Sequence, residues 1–363
     1  MKIALLSYST KPRGGVVHTL ALAEALAAAG EDVTVWSLGR GGDSGFFREV
    51  APDVRVRIVP FPEGPRDESV GERILRSIAT LRDAFDPSPY DIVHAQDCIS
   101  ANAVGRCVRT VHHLDHFTTP ELAACHERAI VEPYAHICVS RSVADELAEG
   151  WGLAAEVIPN GVAHDRFATT EPAARDAWRA RLGRYVLTVG GIEPRKGSLD
   201  LLEAYALLRA DHPDVRLVIA GGETLFDYRD YRARWETRAA ELGVEPLVLG
   251  QVPDDDLPPL VAAAAVFAFP STKEGFGLAA MEALAAGVPL VVRDLPVLRE
   301  VFTPAARFAD TPRSLAAELA AALTRDDAVR RAAGRSLAAR HTWPAAARHH
   351  LAFYRSLDHP PPH

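Results

Sequence analysis

The chain has 363 residues, 48% of them hydrophobic and 24% charged, with a net charge of -8. That length suits two domains of ordinary size, and the balance excludes a disordered chain. The acidic excess excludes the broad basic field of a nucleic-acid-binding protein, and no uncharged apolar run approaches the ~20 residues of a membrane span.

From the N-terminus, residues 2–9 form an apolar run of strand length, too short for a signal peptide core. A cytoplasmic location is therefore expected. The loop Thr10-Lys11-Pro12-Arg13-Gly14-Gly15 follows, then a helix over 16–29 closed by Gly30. This is the opening of a Rossmann-like unit without the GxGxxG fingerprint. Gly14 and Gly15 suit either a tight turn or close approach of the backbone to a diphosphate. Short strands are expected at 33–36, 54–59, 92–94, 110–112, 137–139 and 157–158, with helices at 73–85, 99–108 and 143–149 between them. That alternation predicts a parallel sheet covered on both faces. Residues 39–46 and 60–67, rich in Gly and Pro, read as surface loops.

Three histidines, His112, His113 and His116, stand at the end of one strand, with Cys125 and His126 further on. Their spacing matches no usual zinc pattern, so no metal is expected. His112 is instead a candidate to hydrogen-bond a sugar hydroxyl. The four cysteines, Cys98, Cys107, Cys125 and Cys138, show no CxxC spacing and read as buried free thiols. An Asn160-Gly161 turn and the polar segment 163–176 mark the place where the chain changes domain.

A second α/β series starts at residue 185 with Tyr-Val-Leu-Thr-Val, then Gly190-Gly191-Ile192-Glu193-Pro194-Arg195-Lys196-Gly197 and a helix over 199–210. Lysine is rare in this chain (Lys2, Lys11, Lys196 and Lys273), so Lys196 beside Arg195 draws notice. Two adjacent cations next to a glycine can neutralise a departing diphosphate, with arginine suited to bidentate contact. Strands at 215–220, 247–252 and 290–292 follow. Asp254-Asp255-Asp256 precedes a helix and is read as its N-terminal cap. The apolar run Val266-Phe267-Ala268-Phe269 leads into Pro270-Ser271-Thr272-Lys273-Glu274-Gly275-Phe276-Gly277-Leu278 and an Ala-rich helix containing Glu282. The glycines bare backbone N–H groups at a helix N-terminus, ready to face an anion. Glu282 can accept from two neighbouring hydroxyls of a diol. Phosphate amides beside diol acceptors describe a sugar-nucleotide site. An amphipathic helix over 343–357 and a Pro-rich tail end the chain.

These blocks, in this order, resemble the retaining glycosyltransferases of family four, whose fold is GT-B: two Rossmann-like parallel-sheet α/β domains. The resemblance implies an N-terminal acceptor-side domain over 1–168, a donor-binding domain over 169–342, and a C-terminal helix at 343–357 packing back on the first. It implies a hexosyltransferase that moves a sugar from a nucleotide-diphosphate sugar to an unidentified acceptor with retained anomeric configuration, and requires no cofactor. By position, Glu274 and the amides of Gly275, Phe276, Gly277 and Leu278 would hold donor sugar and diphosphate. Glu282 would take the ribose, the backbone near Val252 the base, and Lys196 with Arg195 the departing phosphate. Gly14 or Gly15 would contact the diphosphate across a cleft and His112 the donor sugar. One position departs from the pattern: Gly191 stands where the family usually has arginine.

A catalytically inactive sugar-nucleotide-binding adaptor and a GT-B sugar-nucleotide epimerase are the alternative readings. The acceptor is expected to be a small molecule, a glycan or a lipid, with no nucleic acid as partner. The basic, partly amphipathic stretches 73–76 and 229–238 make a peripheral membrane contact conceivable, although solvated helix faces are the simpler account.

Overall fold

In both halves of the chain the central strands are short, mostly apolar and buried on both faces, as parallel strands under flanking helices are. The structure, a computed structural model, describes residues 1–114, 117, 120–222 and 228–357. Asp115, His116 and the Pro-rich tail named above lie outside the described residues.

The chain divides into two compact units, Met1–Gly161 with Trp343–His363, and Val162–Thr342. The first holds β1 (Lys2–Leu6), β2 (Asp32–Arg40), β3 (Val54–Phe61), β4 (Ile92–Ala95), β5 (Val108–Val111), β6 (Ala135–Cys138) and β7 (Glu156–Val157), in the sheet order β3-β2-β1-β4-β5-β6-β7. The second holds β8 (Arg184–Val189), β9 (Val215–Ala220), β10 (Leu247–Gly250), β11 (Val266–Phe269), β12 (Leu290–Arg293) and β13 (Arg307–Ala309), in the order β10-β9-β8-β11-β12-β13. Both are parallel, doubly wound sheets. The order reverses between β1 and β4 in one and between β8 and β11 in the other. Such switch points open a crevice at the carboxyl ends of the strands.

Three differences from the sequence reading have local causes. β2 runs to Arg40, past the expected strand end, because it keeps register with β3 from Val33↔Val54 to Arg40↔Phe61. Residues 39 and 40 thus belong to a strand and not to a loop. Segment 163–176, read as the polar stretch where the chain changes domain, carries the helices His164–Ala168 and Pro172–Leu182. Pro172 suits the first helical turn, where its missing N–H has no partner to lose. The first of these helices packs on Leu257–Ala263 and Leu278–Ala285, so residues 162–168 belong with the second unit, not the first.

The helix Trp343–Ser356 lies against Gly14–Ala28 of the first unit. Trp343, Ala346, Ala347, His350, Leu351 and Tyr354 repeat at helical spacing and are the buried face. The second unit's core surrounds Leu202, Tyr205, Leu217, Trp235, Val266 and Leu319. The first has its own, around Leu6, Leu38, Leu81, Val93 and Ala95.

Candidate active site

Because β8 pairs directly with β11, at Val186↔Val266 and Phe267↔Leu187, the loops leaving their carboxyl ends are neighbours. One loop carries residues 190–197, the other 270–277. Their backbones interlock. Gly197 has φ 64° and a side chain there would meet the Pro270 carbonyl oxygen at 2.2 Å, so only glycine fits. The Thr272 amide donates to the Arg195 carbonyl at 2.8 Å. Arg293 clamps the pair from below: its Nε donates to the Pro270 carbonyl at 3.0 Å and its Nη2 to Asp200 at 2.5 Å.

This interlock delivers three charged side chains to one point. Lys196 Nζ donates to Glu274 Oε1 at 2.7 Å, and Arg195 Nη1 donates to the same oxygen at 3.1 Å. Arg195 also pairs with Glu193 at 3.2 Å, and Lys196 Nζ lies 5.2 Å from the centre of the Phe269 ring. Burial opposes the charge on Glu274, but Lys196 and Arg195 more than offset it and hold its carboxyl near a pKa of about 2. The site is therefore an ionised carboxylate shared by two cations at a strand end.

The helix Leu278–Ala285 begins at this cluster. Gly277, which precedes its first residue, has φ 99° and no side chain caps the first turn, leaving the leading amides without an intrahelical partner. A Cβ on Gly277 would press on Phe302 at 3.0 Å and Phe269 at 3.1 Å. Gly275 and Phe276 are buried in the turn itself. Bare amides and the positive helix end make an anion site beside Lys196. Gly190 and Gly191 line a small cavity with Thr188, Lys196 and Ser198. Gly191 brings no charge, so Arg195 is the second cation of this cluster.

Glu282 lies one turn into the same helix. Burial pushes its carboxyl up to about 8, against the pull of Arg166, with Asp254 adding to the rise. Asp254 pairs with Arg166 at 2.7 Å. This corrects the expectation that the three aspartates cap a helix: no side-chain cap bond is made there, and the residues form a 3-10 turn. Val252, half-buried, follows β10 and Gly250.

In the first unit, Gly14 and Gly15 open the helix Gly14–Ala28, and His112 follows β5. A side chain on Gly15 would lie 3.9 Å from the His112 ring, so these two predicted residues are brought together. The Nε2 of His112 has no hydrogen-bond partner among the described residues. His18 stands edge-on to His112 at 4.7 Å and shares a 2.9 Å hydrogen bond with Asn160. Trp343 and His350 of the C-terminal helix contact His18 from behind, at 5.2 and 6.2 Å. His94 completes the column, bonded to Tyr354 and Thr110 at 2.7 Å each. Burial lowers the pKa of His18, His94 and His112 well below the ordinary range, so all three are neutral. Among the described residues no group of three or more His, Cys, Asp or Glu side chains could hold a metal ion. Cys107, Cys125 and Cys138 are buried and Cys98 half-buried, and none of the four is joined in a disulfide.

Sequence reasoning missed Arg293, Arg166 and His18. In a chain so rich in arginine nothing local singles out the first two, and His18 reads as one more position on a helix. The interlocked glycine was the available signal: Gly197 needs a neighbour that fills its missing side chain.

Two family models cover most of the chain: one described as Glycosyltransferase Family 4 matches residues 12–166, and one described as Glycosyl transferases group 1 matches 175–336. The chain is 30% identical to the phosphatidyl-myo-inositol mannosyltransferase of Mycobacterium tuberculosis, over 98% of this chain and 97% of that one. It is also 30% identical to the D-inositol 3-phosphate glycosyltransferase of Acidothermus cellulolyticus, over 80% of this chain and 74% of that one. Its fold matches the crystal structure of Anabaena HepE in complex with UDP-glucose, with a TM-score of 0.74, 20% identity, and coverage of 98% of this chain and 100% of that one.

Proposed function

This chain belongs to glycosyltransferase family 4, with the GT-B fold, and on that premise we propose that it transfers a hexose from a nucleotide-diphosphate sugar with retention of anomeric configuration. The observation that carries the reading is the meeting of Lys196, Arg195 and Glu274 at the open end of the helix Leu278–Ala285. A donor's diphosphate takes the two cations and the amides of Gly277 and Leu278 as its counter-charge. Glu274, next to those cations, then faces the sugar hydroxyls, while Glu282 receives the ribose and the backbone at Val252 the base. Arg195 supplies the charge that Gly191 lacks. Gly15 and His112 lie together in the first unit, and the family resemblance assigns them to the donor's diphosphate and sugar.

In the transfer, the bond from the anomeric carbon to the diphosphate oxygen breaks as the acceptor oxygen bonds to that carbon. The acceptor proton passes to the departing phosphate oxygen. Charge accumulates on the diphosphate, so fixed cations and amides there lower the barrier most. No cofactor enters this scheme. The relatives named above act on inositol lipids and inositol phosphate, which supports a polyol as acceptor.

The test is nucleotide diphosphate release from a panel of sugar nucleotides with candidate polyol acceptors, the product's anomeric configuration being read by NMR. Donor binding with no release under any acceptor would favour the adaptor reading. Interconversion of the donor sugar without transfer would favour the epimerase. Inverted product would remove retention.

A further inference from the structure

His18 lies in the helix Gly14–Ala28, three residues after Gly15 and on the same face, and is only 1% exposed. A buried polar ring needs a partner, and His18 has one in Asn160: its Nδ1 lies 2.9 Å from Asn160 Oδ1. An amide oxygen only accepts, so Nδ1 carries the ring proton and Nε2 keeps a lone pair. That Nε2 is buried with no hydrogen-bond partner among the described residues. Asn160 is itself buried, and the chain around it is closely packed. A side chain on the adjoining Gly161 would meet the backbone nitrogen of Trp343 at 2.5 Å. The start of the C-terminal helix therefore sets where Asn160 stands, and Trp343 also packs edge-on to the His18 ring, at 5.2 Å and 81°.

His112 has no such tether. Its Nε2 finds no partner among the described residues, and its ring contact there is with His18, at 4.7 Å and 80°. The edge that carries Nε2 is the one nearest Gly15. A side chain that no hydrogen bond holds keeps one rotamer only where packing closes the others. For His112 the packing partner is a ring that is locked in place.

We propose that His18, fixed by Asn160, is a positioning residue that holds the His112 ring with its Nε2 toward the donor sugar. This deepens the transfer proposed above and rests on that reading. His18 must also stay neutral, since an imidazolium there would set a cation beside the sugar carbon where positive charge builds. Its titratable neighbours are His112 at the end of β5, His350 of the C-terminal helix and His94 of β4. Arg109 acts on His94 and His112, His113 on His112, and His349 on His350. None of these is a carboxylate, so nothing in the column favours a second proton on His18.

The experiment measures kcat and donor KM, by nucleotide diphosphate release, for the full chain as wild type, His18→Ala, His112→Ala and the double variant. His18→Ala is expected to lower kcat about tenfold with little change in KM, and the double variant to be no slower than His112→Ala. His18→Phe, which restores a ring, should recover most of the loss. Asn160→Asp gives His18 an anionic partner that raises its pKa, so kcat should fall as the pH is lowered from 9 to 6 more steeply than in wild type. A merely structural role would add no such ionisation. Equal effects of His18→Ala with and without His112 overturn the proposal, as does a wild-type kcat in His18→Ala. Where alanine unfolds the helix, 15N–1H spectra of histidine-labelled wild type and His18→Phe decide. They should show the Nδ1–H tautomer for His18 and a displaced His112 signal in the variant; the Nε2–H tautomer or an unmoved His112 signal overturns the proposal. Failure of the underlying reading looks different: no donor would be consumed, or His112→Ala would turn over like wild type, while the spectra still coupled the two rings.

Discussion

Lys196 Nζ lies 2.7 Å from Glu274 Oε1, although 78 residues of chain separate the two. Their contact joins the loop after β8 to the loop after β11, and it places a cation against the open helix end where a leaving diphosphate would sit. Removing that cation tests the mechanism directly. Lys196→Ala is expected to lower kcat by about 10²–10³-fold, the usual effect of losing one donor to developing charge. Steady-state release of nucleotide diphosphate measures it. A kcat within threefold of wild type would place the stabilising charge elsewhere.

Glu282 sets a pH dependence of the opposite sign to Glu274. Its carboxyl, at about 8 in the fold against an ordinary 4.5, holds a proton that the unfolded chain has released over that interval. The stability this contributes is complete below the unfolded value and is lost as the pH rises through about 8. Glu282→Gln is therefore expected to unfold at a higher temperature than wild type at pH 9 and to differ less between pH 6 and pH 9. Melting curves at the two pH values give the answer, and an unchanged pH slope refutes it. For Glu274, held near about 2, the contribution is present above 4.5 and fades as the pH falls through about 2.

Gly197→Ala should cost both stability and donor binding. Its φ of 64° is unfavourable for alanine, by about 1 kcal/mol, and the added methyl would meet the Pro270 carbonyl oxygen at 2.2 Å. The two loops must then separate, moving Lys196 away from Glu274. A loss of ~2 kcal/mol or more in urea unfolding is expected. Gly243→Ala makes the control: φ is 63° and nothing lies within 4 Å, so it should show only the backbone cost.

The buried histidine column predicts acid sensitivity in the first unit. His18, His94 and His112 titrate well below the ordinary 6.5, and His350 at about 4, all through burial first. Groups depressed in this way stabilise the fold above the unfolded value, and that stability is lost as the pH falls through the folded value. Melting curves followed by circular dichroism at each pH read the unfolding midpoint. Between pH 7 and pH 5 the unfolding midpoint should drop, and His350→Phe should lessen the drop. An equal drop in that variant would exclude His350 as a contributor.

Much of this protein is written in short-range pattern. The alternation of apolar runs with helical periods fixes two parallel-sheet units, because a strand buried on both faces needs helices over it. The glycines at 197 and 277 and the cations at 195 and 196 were legible for the same reason: a turn, a bare amide or a paired charge is a property of a few adjacent residues. What the pattern could not carry is pairing between distant segments. Only the strand order, with β8 against β11, brings Lys196 onto Glu274, and only packing decides that Glu282 is buried enough to hold its proton near neutrality. Asp254 turned from a helix cap into the partner of Arg166 by the same cause. Contacts made across a sheet depend on which strands become neighbours, and the burial energy of the whole unit selects that arrangement.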